Sequence, residues 1–200
     1  PIRGWRVVQD GTSLWYRSLG RNKKSVTLDL KSARGRALVL QLLDSADVLV
    51  ENFRPGAMED WGLGPDVVKA RNPRLVYARI SGYGQTGPYA SKPGYASVTE
   101  AFGGFRYING EPGKAPARPN ISLGDTVAGL HAALGITLAL LQRAKPGGEG
   151  QVVDVALYES VFNLLEGMIP EYDGAGVVRE PAGTTVTGIV PTNTYHCDDG

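Results

Sequence analysis

Asp125 is the residue of this chain best placed to do chemistry. It follows Gly124 at the mouth of the run Thr126–Leu141, in which only Thr126, His131 and Thr137 are polar. That pattern predicts a helix buried on most sides, with small residues at 128, 129, 132, 133 and 135 admitting close neighbours. An acid at such an entrance sits beside unsatisfied backbone N–H groups. A carboxylate has a reference pKa of about 3.9, so it is ionised near neutral pH without help from a base. It can attack an activated carbonyl such as a thioester, giving a mixed anhydride that keeps the acyl group activated. Glycine N–H groups near the rim would supply the oxyanion hole that step needs. A second role fits the same residues. Ser122 and Asp125 form the S-x-x-D pattern of a capping box, in which the acid only closes the first helical turn. Spacing alone leaves both open.

Other chemistries find little support. No GxGxxG follows a strand, and there is no GxxxxGK[ST] or GxSxG. The two histidines, His131 and His196, are far apart, and His131 reads as a satisfied core residue inside the apolar run. No metal site or Ser-His-Asp triad is legible. Glu159 and Glu166 read as helix surface, and Asp154 as a structural acid in a strand. The formal charge of +1 gives no reason to expect nucleic acid. Charge is uneven, however: residues 1–36 hold nine Lys/Arg against Asp10 and Asp29, a basic face that could meet phosphates. Cys197 is the one cysteine, so no intrachain disulfide forms, and a reducing, cytoplasmic location is expected. Thr126–Leu141 is short and rich in Gly and Ala for a membrane span, so no membrane association is expected.

The elements that must position Asp125 follow from periodicity. With 200 residues, 42% of them hydrophobic, one sizeable core is expected. Pro1–Asn22 shows no clear period and is expected to be irregular. Ser25–Leu30, Asp47–Val50, Leu75–Ile80 and Gln151–Leu157 read as strands. Helices are predicted from Ser32 to Leu43, from Pro65 to just before Asn72, from Tyr95 to Phe102, from Thr126 to Arg143 and from Glu159 to Met168. Beyond Pro170 the pattern dissolves. Alternating strands and helices imply an α/β, doubly wound, mostly parallel sheet. In such sheets ligands sit beyond the C-terminal strand ends. Lys31, Glu51–Gly56, Ser81–Pro93 and Asp125 would share that rim. Residues 1–170 are expected to form one domain and 171–200 a linker. The missing initiator Met and the end at Asp198-Asp199-Gly200 suggest a piece of a longer chain.

Five stretches in this order, RNKKSVTLDLKSARGR, ADVLVENFRPGAMEDWGL, NPRLVYARISGYGQTGPYASKPGYASV, LGDTVAGLHAALG and GQVVDVALYESVFN, together resemble the family III CoA-transferases, whose fold α-methylacyl-CoA racemase shares. The resemblance implies a Rossmann-like large domain of a two-domain chain whose first βα unit and small second domain are not represented. It implies transfer of CoA from an acyl-CoA, with no tightly bound cofactor, to a free carboxylic acid. Asp125 would be the nucleophile, carrying first an acyl anhydride and then an aspartyl-CoA thioester. Leu28, Asp29, Leu30, Lys31, Asn52, Phe53 and Arg54 would line the CoA site, joined by the Lys92–Ala96 segment with Lys92, Tyr95 and Ala96. Tyr95 stands where the racemases have His, which disfavours racemisation. Asp60 stands where some members have a phosphate-binding Arg. GYASVTEAFGGFRYING looks closer to members that use succinyl-CoA and dicarboxylic acids. An interlocked homodimer of the full-length parent is implied. The remaining alternatives are a 2-methylacyl-CoA racemase and a CoA-binding module without turnover.

Overall fold

The computed structural model describes residues 2–199, so the expectations that touch Pro1 and Gly200 lie outside the described residues. The stretch expected to be irregular holds a small antiparallel hairpin, β1 (Val8–Gln9) and β2 (Thr12–Ser13), and a helix, α1 (Leu14–Leu19). Ser13 starts that helix, its hydroxyl accepting the Tyr16 N–H at 3.2 Å. No strand forms over Ser25–Leu30. The alternating pattern is present, but Val26 is exposed and no neighbouring strand offers ladder hydrogen bonds. Leu30 instead packs against the core beside the next helix.

From Ser32 onward most of the predicted elements appear. Ser32 caps α2 (Ala33–Leu43), its hydroxyl accepting the Gly35 N–H at 3.0 Å. Then come β3 (Val48–Glu51), the one-turn α3 (Ala57–Asp60), α4 (Pro65–Arg71) with Pro65 in the first turn, and β4 (Val76–Ser81). Next are α5 (Ala96–Phe102), the short α6 (Phe105–Ile108), and α7 (Leu123–Arg143), which starts three residues before the expected Thr126. β5 (Val152–Ala156) leads into α8 (Leu157–Phe162), which stops short of the expected Met168 and gives way to a 3-10 turn. A further helix, α9 (Met168–Ala175), crosses position 170, the boundary that the sequence places between domain and linker. Pro170 falls in its first turn, where a missing N–H costs no hydrogen bond.

The main sheet is parallel with order β3-β4-β5, and apolar layers cover both faces. On one face Leu43, Met58, Leu63, Val68, Leu75 and Tyr77 pack together, with the Tyr77 hydroxyl donating to the Leu63 carbonyl at 2.9 Å. On the other face Ile80, Val153 and Val155 meet Ala96, Ala128 and Ala132, the small residues letting α7 lie close to the strands. Each large apolar side chain taken fully from water contributes about 1.5–3 kcal/mol. α7 is not buried on most sides. Gly124, Ala128, Ala132 and Ala139 face inward, whereas Leu130, Leu134, Leu138 and Leu141 are exposed. Its period is that of a helix seated by one stripe, with a leucine row on the opposite side. By length and composition alone this helix could also cross a membrane.

One buried charge sits within the first layer. The Arg79 guanidinium, on β4, donates from Nε to Glu51 Oε1 at 2.8 Å and from its two Nη atoms to Glu59 at 2.6 and 3.0 Å. Arg79 and Glu51 are almost wholly shielded from water. Replacing Arg79 by Ala leaves Glu51 buried and unpaired, which costs about 3–5 kcal/mol. Urea unfolding of Arg79→Ala against wild type measures this loss, and Arg79→Lys, which keeps the charge but not the fork, is expected to fall between them.

Candidate active site

A cleft of about 330 Å³ opens beyond the C-terminal ends of β3, β4 and β5. This is where an open parallel sheet leaves room, because successive chain segments leave the strands in different directions. Its first wall is the exit of β3: Asn52, Phe53, Arg54 and Pro55. Glu51 holds that turn, its second oxygen accepting the Phe53 N–H at 2.7 Å while its first is bound to Arg79. Phe53 is further fixed edge-on against Trp61, ring centroids 5.0 Å apart. The Arg79 network therefore sets the shape of the wall as well as the stability of the sheet.

The second wall is the exit of β4, with Ile80, Ser81 and Gly82, together with the returning end of its loop, Lys92, Pro93, Gly94 and Tyr95. The loop closes on itself at Gly82 and Gly94. A Cβ on Gly82 would stand 2.6 Å from Gly94 Cα, so only a glycine pair allows this approach. Asp154 pins the other side of the loop by accepting the Gln85 N–H at 2.8 Å, the structural role its place in β5 suggests. Tyr83 and Tyr89 of the loop pack with Phe102 and Tyr158 in edge-on and tilted contacts. The Ser81 hydroxyl is buried and has no hydrogen-bond partner among the described residues. A donor left unpaired at the lip of a cleft suits a polar ligand atom.

Asp125 and Gly129 come from the start of α7, and Leu157 from the start of α8. Asp125 lies in the first turn of α7, not ahead of it. The capping box does not form: Ser122 occupies the N-cap position without a side-chain hydrogen bond. Among the described residues the Asp125 carboxylate accepts no hydrogen bond. Glu100 of α5 serves the helix start instead, its Oε1 accepting the Gly124 N–H at 3.2 Å. Gly124 in turn lies against Ala96, where a Cβ would sit 3.4 Å from Ala96 Cα. The Asp125 carboxyl is held above its ordinary value, first by partial desolvation and then by the negative charge of Glu100, while Arg118 pulls it back. A more basic carboxylate without local partners is a better nucleophile than one tied into its own helix.

Asn52, Phe53, Arg54, Lys92, Tyr95 and Asp125 thus share one cleft. Leu28, Asp29, Leu30 and Lys31 do not line it. They form a turn before α2, where Asp29 Oδ1 accepts the Lys31 N–H and the Asp29 carbonyl accepts the Ser32 hydroxyl. Ala96 is buried behind the cleft, under Gly124. Asp60 ends α3, is exposed and is not part of the wall. His131 is half-buried and lies by a separate shallow depression with Asp154 and Glu159. Among the described residues there is no cluster of three or more His, Cys, Asp or Glu suited to a metal ion. Sequence reasoning places Ser81 only within the Ser81–Pro93 rim loop, without a role of its own, and misses Glu100, Arg106 and Arg118. Glu100 carries no signal at all, since a lone acid in TEAFGG reads as helix surface until its burial is seen.

With this geometry in place, comparison with known proteins decides the family. The model of CoA-transferase family III matches residues 1–200. This chain belongs to that family. It is 48% identical over 201 residues to a succinyl-CoA–D-citramalate CoA-transferase of Chloroflexus aurantiacus, covering all of this chain and 50% of that protein. It is 45% identical over 192 residues to a succinyl-CoA–L-malate CoA-transferase alpha subunit of Chloroflexus aurantiacus, covering 96% of this chain and 44% of that subunit. The crystal structure of a CAIB/BAIF family protein from Brucella suis superposes on the whole chain and 54% of its own length, with a TM-score of 0.90 and 33% identity. The chain therefore spans about half the length of the relatives it matches.

Because folding raises the proton affinity of Asp125, its ionised form costs stability at neutral pH, and that cost fades as pH falls through the raised value. Asp125→Asn is expected to melt at a higher temperature than wild type at neutral pH. The difference should vanish in acid, where both side chains are neutral. Equal melting temperatures across the whole range would contradict the assignment.

Proposed function

We propose that this chain carries the nucleophile and much of the acyl-CoA cleft of an acyl-CoA:carboxylate CoA-transferase. The observation that carries the reading is the Asp125 carboxylate, which accepts no hydrogen bond among the described residues, on the wall of a cleft lined by Asn52, Phe53, Arg54, Lys92 and Tyr95.

In this reading an Asp125 oxygen attacks the thioester carbonyl. A C–O bond forms, the C–S bond breaks, and CoA leaves as its thiolate. The thiolate attacks the Asp125 carboxyl carbon, releasing the donor acid as its carboxylate and leaving an aspartyl-CoA thioester. The acceptor carboxylate then attacks that thioester, CoA leaves again, and it returns to the new acyl carbonyl to regenerate Asp125. Every step exchanges one anion for another, so no proton has to move. This is why a site without a histidine base can run the reaction. The thioester arm lies along Phe53, Ile80 and Leu157, with the unpaired Ser81 hydroxyl available to a polar atom of the arm. Arg54 and Lys92 offer positive charge at the rim, and Lys31, outside the cleft at the start of α2, suits a phosphate at the far end of a long CoA. Binding of that remote handle holds the thioester at the carboxylate through a reaction with two free anionic partners.

Succinyl-CoA as donor and a dicarboxylic acid as acceptor are supported by the names of the two Chloroflexus relatives. Assembly into a dimer belongs to the same reading, and the relative named as an alpha subunit leaves room for two different chains. Racemisation is not favoured, because Tyr95 lines the cleft where a histidine would have to serve as the second acid or base.

The reading is tested in the intact enzyme that contains this sequence. Asp125→Ala is expected to lower CoA transfer from succinyl-CoA to labelled acceptor acids by roughly 10³-fold or more in kcat, as loss of a covalent nucleophile does. Transfer at the wild-type rate by Asp125→Ala would overturn it.

A further inference from the structure

Beside Asp125 lies a charge cluster that includes an arginine with no part in the transfer steps described above. Glu100 has no exposure to water. One of its oxygens takes the Gly124 N–H; the other lies 3.2 Å from Arg106 Nη2 and 3.6 Å from Arg118 Nε. A single carboxylate thus spans from the residue preceding Asp125 to two guanidinium groups. The two arginines differ. Arg106 Nη2 also donates to the Ser97 carbonyl and hydroxyl, both at 3.1 Å, and its side chain is mostly covered. Arg118 has no hydrogen bond among the described residues, and 48% of its side-chain surface is open. Arg118 also lies outside the cleft that would take the thioester arm.

We propose that Arg118, steadied by Glu100, binds the distal carboxylate of a dicarboxylic acyl group while that group is attached at Asp125. The inference rests on the reading of Asp125 as the acylated residue. Its physical basis is charge balance. In the resting site Asp125 and Glu100 oppose Arg106 and Arg118. When Asp125 becomes an anhydride it loses its charge, and two guanidinium groups then face one carboxylate. A dicarboxylic acyl group brings a second carboxylate to the same neighbourhood and restores the balance; a monocarboxylic group brings none. Arg118 presents unused N–H donors in a planar fork suited to a carboxylate. It therefore acts as a specificity-determining residue for the acid, not for CoA.

The test compares succinate with butyrate, acids of equal length, as acceptors in the intact enzyme and its Arg118→Gln and Arg118→Lys variants. A charged hydrogen bond of this kind corresponds to roughly a 10- to 100-fold preference. Arg118→Gln is expected to cut the succinate-to-butyrate ratio of kcat/KM by about that factor, chiefly through KM for succinate. Arg118→Lys should retain part of the preference, and it carries the test if the Gln variant does not fold. A ratio unchanged in the folded variants overturns the proposal. So does a wild-type enzyme that transfers CoA through Asp125 without preferring the dicarboxylate. Full transfer by Asp125→Ala would instead overturn the reading of the nucleophile, so the two failures are distinguishable.

Discussion

Glu100 is an ion sealed from water, and the position of Asp125 depends on how that ion is satisfied. Taking a carboxylate out of water costs several kcal/mol unless hydrogen bonds and opposite charges replace its hydration. Here the replacement comes from the Gly124 N–H, Arg106 and Arg118. The first of these is the backbone of the turn that carries Asp125, so the start of α7 is tied to α5 through one side chain. Because Glu100 supplies this connection, Asp125 need not supply it. Its own carboxylate stays open to the cleft, and the nearby negative charge raises its basicity.

A second buried charge does comparable work across the cleft. Arg79 joins Glu51 at the end of β3 to Glu59 in α3, and Glu51 passes the constraint to the Phe53 backbone. The two networks serve different parts of the cleft, one holding the Asn52–Pro55 wall and the other the start of α7. Between them the Gly82–Gly94 approach narrows the loop after β4. The cleft is thus framed by backbone held through side-chain carboxylates, which suits the proposed reaction, in which a large thioester meets one oxygen at a fixed angle.

Much of this was legible in the residues. Ser32 announces α2, Pro65 opens α4, and the apolar runs around Val48, Val76 and Val152 mark the strands whose ends bear the site. What escaped has physical causes. Ser25–Leu30 alternates like a strand, yet a strand needs a partner as well as a pattern. The run Thr126–Leu141 is apolar all round, but hydropathy does not say which face finds a neighbour, and the Leu130–Leu141 row does not. Ser122 and Asp125 have capping-box spacing, while the helix start is in fact served from another element by Glu100. Burial of a single acid, and the company of Arg106 and Arg118, arise only once α5, α6 and the segment before α7 come together.

The most direct measurement of the central claim is chemical trapping on the intact enzyme. Incubation with succinyl-CoA, quenching with hydroxylamine and peptide mapping by mass spectrometry should find a hydroxamate on Asp125, because hydroxylamine displaces CoA from the aspartyl-CoA thioester at that carbonyl. Steady CoA transfer with Asp125 unmodified, or with the label on another residue, would contradict the assignment.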